Sequence, residues 1–173
     1  MSTIVLKFGG TSVATTDLIK SAASIVKKEY DAGSNLAVVV SAMAGTTNSL
    51  INYVKEINTN SDSEYDVVVS SGEQVTSGLM SMALDEIGVP SRSWLGWQLP
   101  ILTSGPHRNS VIEKINPDKI LEGFKKNEVA VLAGFQGLSV NDRITTIGRG
   151  GSDNTAVFLA SALNADRCDI YTD

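Results

Sequence analysis

The chain is poor in the residues that build covalent or metal-held scaffolds: 173 residues contain one cysteine, one histidine and four prolines. A lone cysteine, Cys168, can form no internal disulfide, so a packed core must carry the stability, and a reducing cytoplasm is the simplest location. A lone histidine, His107, argues against a histidine-rich metal centre or a Ser-His-Asp triad. No apolar run approaches the roughly 20 residues of a membrane span, and the N-terminus lacks a basic region followed by a long apolar stretch. Positive charge is also scarce. A net charge of −5 argues against a nucleic-acid surface, so any bound phosphate must be held by local positive groups. What is present is 42% hydrophobic and 19% charged residues with 15 glycines, the profile of a soluble globular chain with many tight turns, forming one domain or a piece of a larger one.

The stretch Thr3 to Ser12, TIVLKFGGTS, organises the rest. Ile4, Val5 and Leu6 read as a buried strand, Gly9-Gly10 permit a turn that a side chain would oppose, and Thr11 or Ser12 can cap a following helix. A strand that turns through glycines into a helix N-terminus gathers free N–H groups and the positive end of the helix dipole. Lys7 adds a full charge beside them. This is a candidate phosphate-binding turn; an ordinary βα connection with an edge lysine is the competing reading of the same residues.

Beyond it, Leu18 to Val26 carries helical spacing with a stop at Gly33, and Leu36 to Val40 is an apolar run suited to a parallel sheet covered on both faces. Leu50 to Ile57 is helical. Val67 to Val69 reads equally as strand or helix entry and runs into a helix from Val75 to Ile87. Pro90 to Leu102 contains a β-like stretch with Trp94 and Trp97. Asn116-Pro117-Asp118 opens a short helix to Phe124, and Val129 to Phe135 is the next buried strand. Gly137 to Asp142 reads as a turn, Ile144 to Ile147 as a short strand, Thr155 to Leu163 as an apolar helix and Arg167 to Thr172 as a strand. This alternation predicts a three-layer α/β/α sandwich with a mostly parallel central sheet.

In such a sheet, ligands bind where strands end. Four junctions rich in glycine and hydroxyl residues are placed there: Lys7 to Ser12, Ser41 to Thr47, Ser70 to Glu73, and Gly148 to Asp153. The first is no Walker A loop, because its lysine precedes the glycines. Arg149 can clamp a carboxylate and Glu73 can pair with an ammonium, a combination that suits a zwitterion such as an amino acid. A surface ion pair for Arg149 and a helix-cap carboxylate for Glu73 are the structural alternatives.

These segments resemble the aspartokinases of the amino acid kinase superfamily, through VLKFGGTS at 5–12, VVVSAMAGTTN at 38–48, SSGEQ at 70–74, TTIGRGGSDNTA at 145–156 and CDIYTD at 168–173. The resemblance implies transfer of the γ-phosphoryl of ATP, carried with Mg²⁺ held mainly through its phosphates, to the side-chain carboxylate of L-aspartate. That reaction opens lysine, threonine and methionine biosynthesis. By the same resemblance Lys7 neutralises the transferring group, Gly9 and Gly10 offer it N–H groups, and Asp153 orients Lys7. Ser41, Thr46 and Ser152 line the substrate site, Glu73 holds the ammonium and Arg149 a substrate carboxylate. Thr172 and Asp173 begin the nucleotide-binding half. Cys168 and His107 are given no role, and the tryptophans are read as cover for the sheet or a subunit contact.

The family pattern continues past CDIYTD with further nucleotide-binding residues and paired regulatory ACT domains. The expectation is therefore the substrate-side, N-terminal portion of a catalytic domain, inactive alone and forming a homo-oligomer, with no nucleic-acid or membrane partner. Another amino acid kinase, acting on glutamate or acetylglutamate, and a non-catalytic truncated subunit are the other readings.

Overall fold

Three near-continuous runs of valine, leucine, isoleucine and alanine form the centre of a five-stranded sheet in the computed structural model, which describes residues 1–172. They are β1 (Thr3–Phe8), β2 (Asn35–Val40) and, later, β6 (Val129–Ala133). β3 (Ser91–Trp94) and β9 (Arg167–Tyr171) complete the sheet in the order β3-β6-β2-β1-β9, every pair parallel. Uninterrupted apolar sequence is what a parallel sheet needs, because helices cover both of its faces.

One face carries α1 (Thr16–Asp31) and α3 (Asp62–Glu86). Ile4, Leu6 and Phe8 of β1 pack there against Ile19, Ala22, Ala23 and Val26 of α1 and Met80 and Leu84 of α3. The opposite face takes α4 (Asp118–Phe124) and α5 (Gly151–Ala162), with Val5, Ala37 and Val39 packed on Ile120, Phe124, Ala156 and Leu159. Each fully buried valine, leucine, isoleucine, methionine or phenylalanine among these contributes about 1.5–3 kcal/mol. The period-two alternation of β1 thus assigns Ile4, Leu6 and Phe8 to the α1 side and Val5 and Lys7 to the α5 side. The expected α/β/α sandwich is present.

Several local expectations are corrected. Thr15, rather than Thr11 or Ser12, caps α1: its Oγ1 accepts the Leu18 N–H at 3.2 Å, after a short 3-10 turn over Gly10–Val13. Leu18 and Ile25, apolar members of the helical spacing read over Leu18 to Val26, remain exposed, because their directions diverge from the stripe that meets the sheet. Val67 to Val69 belong to α3, where only Val69 of the three is fully buried and helical packing overrides β propensity. Gly137 and Leu138 are strand rather than turn. They lie in β7 (Gln136–Leu138), one member of a second, four-stranded sheet ordered β5-β4-β7-β8. Its other strands are β4 (Ile101–Ser104), β5 (Val111–Ile115) and β8 (Ile144–Thr146). The turn proper starts at Ser139, whose O accepts the Asp142 N–H. Ile101, Ile112 and Ile115 of this small sheet extend the α5-side core. α2 (Thr46–Ile57) buries no side chain fully.

Candidate active site

At the C-terminal end of β1 the chain places an ammonium in a nearly closed setting. Lys7 is 6% exposed, yet its Nζ lies 2.7 Å from Oδ1 of Asp153 in the first turn of α5. The Asp153 oxygen makes no hydrogen bond of good geometry, so the contact is an ion pair held by proximity. Around the pair opens a cavity of about 340 Å³ lined by Lys7, Gly10, the segment Ser41 to Gly45, Thr47, Glu73, Phe135, and Gly150 to Asp153. All four junctions expected from the sequence contribute to it.

Two helices begin at this cavity. Gly45 (φ 84°) precedes α2 and Gly150 (φ 69°) precedes α5, both in the left-handed region that glycine adopts without strain. Helix N-termini present unpaired N–H groups and partial positive charge, so the cavity floor suits an anion independently of Lys7. Close approach of the loops requires small residues. A Cβ on Gly10 would stand 3.1 Å from the Ala42 carbonyl oxygen, and one on Gly134 would stand 2.9 Å from Ser152 Oγ. Gly9 serves the same purpose, since a Cβ there would meet the Tyr171 oxygen at 3.3 Å and Lys7 Nζ at 3.4 Å. Its N–H is donated to that Tyr171 oxygen at 3.0 Å. In this arrangement Gly9 therefore has no amide to offer a ligand, whereas Gly10 lines the cavity.

Glu73 comes from the middle of α3 rather than from a strand-end turn, and is 4% exposed. Its Oε1 accepts the Ala42 N–H at 3.2 Å while its Oε2 is buried with no partner. Burial pushes the Glu73 carboxyl up from 4.5 to about 7, only partly opposed by the backbone donors of Glu73 itself and Ala42. A buried acceptor without a donor is a demand for one, and an ammonium would meet it.

Not every expected residue converges. Ser41 and Ser152 line the cavity, but Thr46 does not; Thr47 stands there, and the Thr46 methyl faces α3 near Gly72. Arg149 is exposed and lines a different cavity, of about 310 Å³, with Asn109, Ser110, Ile112, Asn154 and Phe158. The left-handed turn at Gly150 separates the two: Gly151, Ser152 and Asp153 line the cavity at Lys7, whereas Gly148 and Arg149 line the other. Thr172 is exposed at the end of β9, and Asp173 lies outside the described residues. Phe135 and Thr47 were not singled out from sequence. Phe135 holds φ 68° without being glycine, and no local sequence signal marks it. Among the described residues no group of three or more His, Cys, Asp or Glu side chains could hold a metal ion, and no helix is long and apolar enough to cross a membrane.

Comparison with known proteins places this geometry in a family. The chain is 48% identical over 177 residues to an aspartokinase of Rickettsia conorii and 51% identical over 176 residues to an aspartate kinase of Pseudomonas fluorescens; it is covered completely in both, but spans only 44% and 43% of their lengths. Among solved structures it matches the aspartate kinase of Synechocystis with a TM-score of 0.83 and 40% identity, covering 98% of this chain and 28% of that one. It matches Escherichia coli aspartokinase III, crystallised with aspartate and ADP, with a TM-score of 0.85 and 28% identity, covering 98% of this chain and 49% of that one. The amino acid kinase family model matches residues 2–173, and the chain belongs to the amino acid kinase family.

Proposed function

We propose that this chain is the substrate-side portion of an aspartokinase catalytic domain. The whole protein transfers the γ-phosphoryl group of ATP to the side-chain carboxylate of L-aspartate, giving 4-phospho-L-aspartate and ADP. The observation that supports this most directly is the Lys7–Asp153 pair and the partnerless Glu73 Oε2 on one cavity into which two helix N-termini point. The similarity to a protein crystallised with aspartate and ADP agrees with it.

The chemistry needs little beyond placement. A carboxylate attacks phosphorus without a general base, and the developing charge is spread over the phosphoryl oxygens. Lys7, held by Asp153, and the N–H groups opening α2 and α5 supply fixed positive potential where that charge grows. Glu73 takes the ammonium of the amino acid, which orients the side-chain carboxylate toward Lys7. Arg149 takes the α-carboxylate once the turn at Gly150 brings its side chain to the same cavity. Mg²⁺, when bound with ATP, neutralises the phosphate chain. We assign its binding mainly to the phosphates of the nucleotide, since Mg²⁺ keeps several waters and binds readily through substrate phosphates.

We place the nucleotide-binding half in the remainder of the whole protein and the enzyme in the cytoplasm as a homo-oligomer. The test is ATP-dependent acyl phosphate formation, trapped as hydroxamate, by the whole protein with L-aspartate, L-glutamate or acetylglutamate. Turnover with aspartate alone is the expected result, and preference for either other acceptor overturns the assignment. Residues 1–173 alone should bind aspartate without turning it over; robust turnover would place the nucleotide site inside this chain.

A further inference from the structure

Two turns before Glu73, at the same helical phase of α3, lies a cluster that phosphoryl transfer does not use. Asp66 is completely buried, and its listeners come from two distant parts of the chain. Thr146 Oγ1, at the end of β8, donates to Oδ1 at 2.6 Å. The Arg108 N–H is shared between the two oxygens at 3.1 and 3.3 Å, and His107 Nδ1 lies 2.5 Å from Oδ2. A carboxyl group buried this far is costly unless donors meet its lone pairs, and an apolar side chain would fill the same space. Its partners, not its volume, are what it adds.

Those partners are themselves held. Arg108 keeps a left-handed backbone (φ 66°), disfavoured for a long side chain, while its guanidinium donates to the Thr59 oxygen at 2.8 Å, pairs with Asp62 at 2.8 Å and lies 4.1 Å over the Tyr65 ring. Arg143, just before β8, pairs with Glu64 of α3. The turn containing His107 and Arg108 is then laid against the loop at Gly148. Ser110 N donates to the Thr146 oxygen at 3.1 Å, Gly148 N donates to the Ser110 oxygen at 3.3 Å, and Asn109 Oδ1 occupies the space a Cβ on Gly148 would need, 2.1 Å away. Gly148 begins the three residues that carry Arg149 and lead into Ser152 and Asp153.

We propose that Asp66 is a positioning residue for the loop 148–150: by holding Thr146 and the His107–Arg108 turn together, it sets where Arg149 stands and how α5 delivers Asp153 to Lys7. Its kinetic consequence rests on the aspartokinase reading; its conformational consequence does not.

The two are separated by measuring both amide hydrogen exchange and kinetics on the whole protein, for Asp66→Asn and Thr146→Val. Amides of 147–153 should exchange roughly tenfold faster in either variant while β1 and β2 keep their protection. In the whole protein the KM for L-aspartate should rise roughly tenfold with the KM for ATP within about twofold. Unchanged exchange at 147–153, or protection lost evenly over β1, β2 and β6, overturns the proposal. If Asp66→Asn fails to fold, Thr146→Val, which removes one donor and leaves the rest, decides it. Faster exchange in a protein that phosphorylates no aspartate would sink the functional reading and leave the positioning role standing. An unchanged aspartate KM despite faster exchange would overturn its kinetic part.

Discussion

Lys7 and Asp153, 146 positions apart in sequence, meet at 2.7 Å because one stands next to the end of the strand β1 and the other in the first turn of the helix α5 that covers it. The lysine is nearly buried, whereas 45% of the aspartate side chain is exposed. Solvent therefore reaches the pair from the carboxylate side, through the cavity.

Replacing Lys7 by alanine in the whole protein should lower kcat by about 10²–10³, the scale seen when one fixed stabiliser of developing charge is removed. Far-ultraviolet circular dichroism should be unchanged. Asp153→Asn keeps the shape and weakens only the orientation of Lys7, so its loss should be smaller. Equal or larger loss in Asp153→Asn would assign the aspartate a direct part in the reaction.

Glu73 should make both stability and substrate affinity pH-dependent. Its folded value of about 7 lies above the ordinary 4.5, so the folded state binds the proton more tightly, and stability falls as pH rises from about 4.5 through about 7. The change is on the order of 3 kcal/mol. Glu73→Gln should flatten that slope in urea unfolding series. An ammonium at Oε2 favours the ionised form, so binding expels a proton below pH 7. The aspartate KM should then climb by up to about tenfold per pH unit as pH falls below about 7, and it should not do so in the glutamine variant. A wild-type profile flat between pH 5 and 7 would contradict the assignment.

Gly137→Ala should be among the more damaging small changes. A Cβ there would lie 2.4 Å from the Thr103 methyl and 2.7 Å from the Ile101 backbone oxygen, and the backbone atom cannot rotate away. A loss of about 1–3 kcal/mol is expected from denaturant midpoints. A loss under about 0.5 kcal/mol would mean that β4 and β7 part easily.

Cys168 should react slowly with a disulfide reagent. Burial raises its thiol above the ordinary range, and Asp169 and Asp153 add to the rise. The thiol should be modified many-fold faster in urea than in the native protein, and equal rates would show β9 opening freely.

Much of the layer architecture was legible because a buried parallel strand leaves an uninterrupted apolar signature, as in Leu36 to Val40 and Val129 to Ala133. The small sheet was legible only in part: Ile144 to Ile147 read as a strand and contains β8, whereas β7 is three residues, too short for a period to show, and contains a glycine whose reason is the neighbouring Thr103. For the site, the glycines and hydroxyls announced close backbone approach, which the cavity realises. Which of Thr46 and Thr47 faces inward depends on where the first turn of α2 begins, a matter of one residue. The side that Arg149 takes depends on a single left-handed torsion at Gly150. The union of Asp66 with His107 and Thr146 spans 41 and 80 positions, a distance at which no local pattern carries information.

The placement of β1 between β2 and β9 sets an order of events when the protein is made. Its residues can pair with Asn35 to Val40 early in synthesis, but the Ile4–Arg167 and Phe8–Tyr171 registers wait until more than about 160 further residues have been made. Until then one long edge of the strand bearing Lys7 is unpaired, a state prone to joining the wrong neighbour. The two sides of the strand bearing Lys7 are thus enclosed at different times, and the pairing with β9, distant in sequence, is the slower of the two to form.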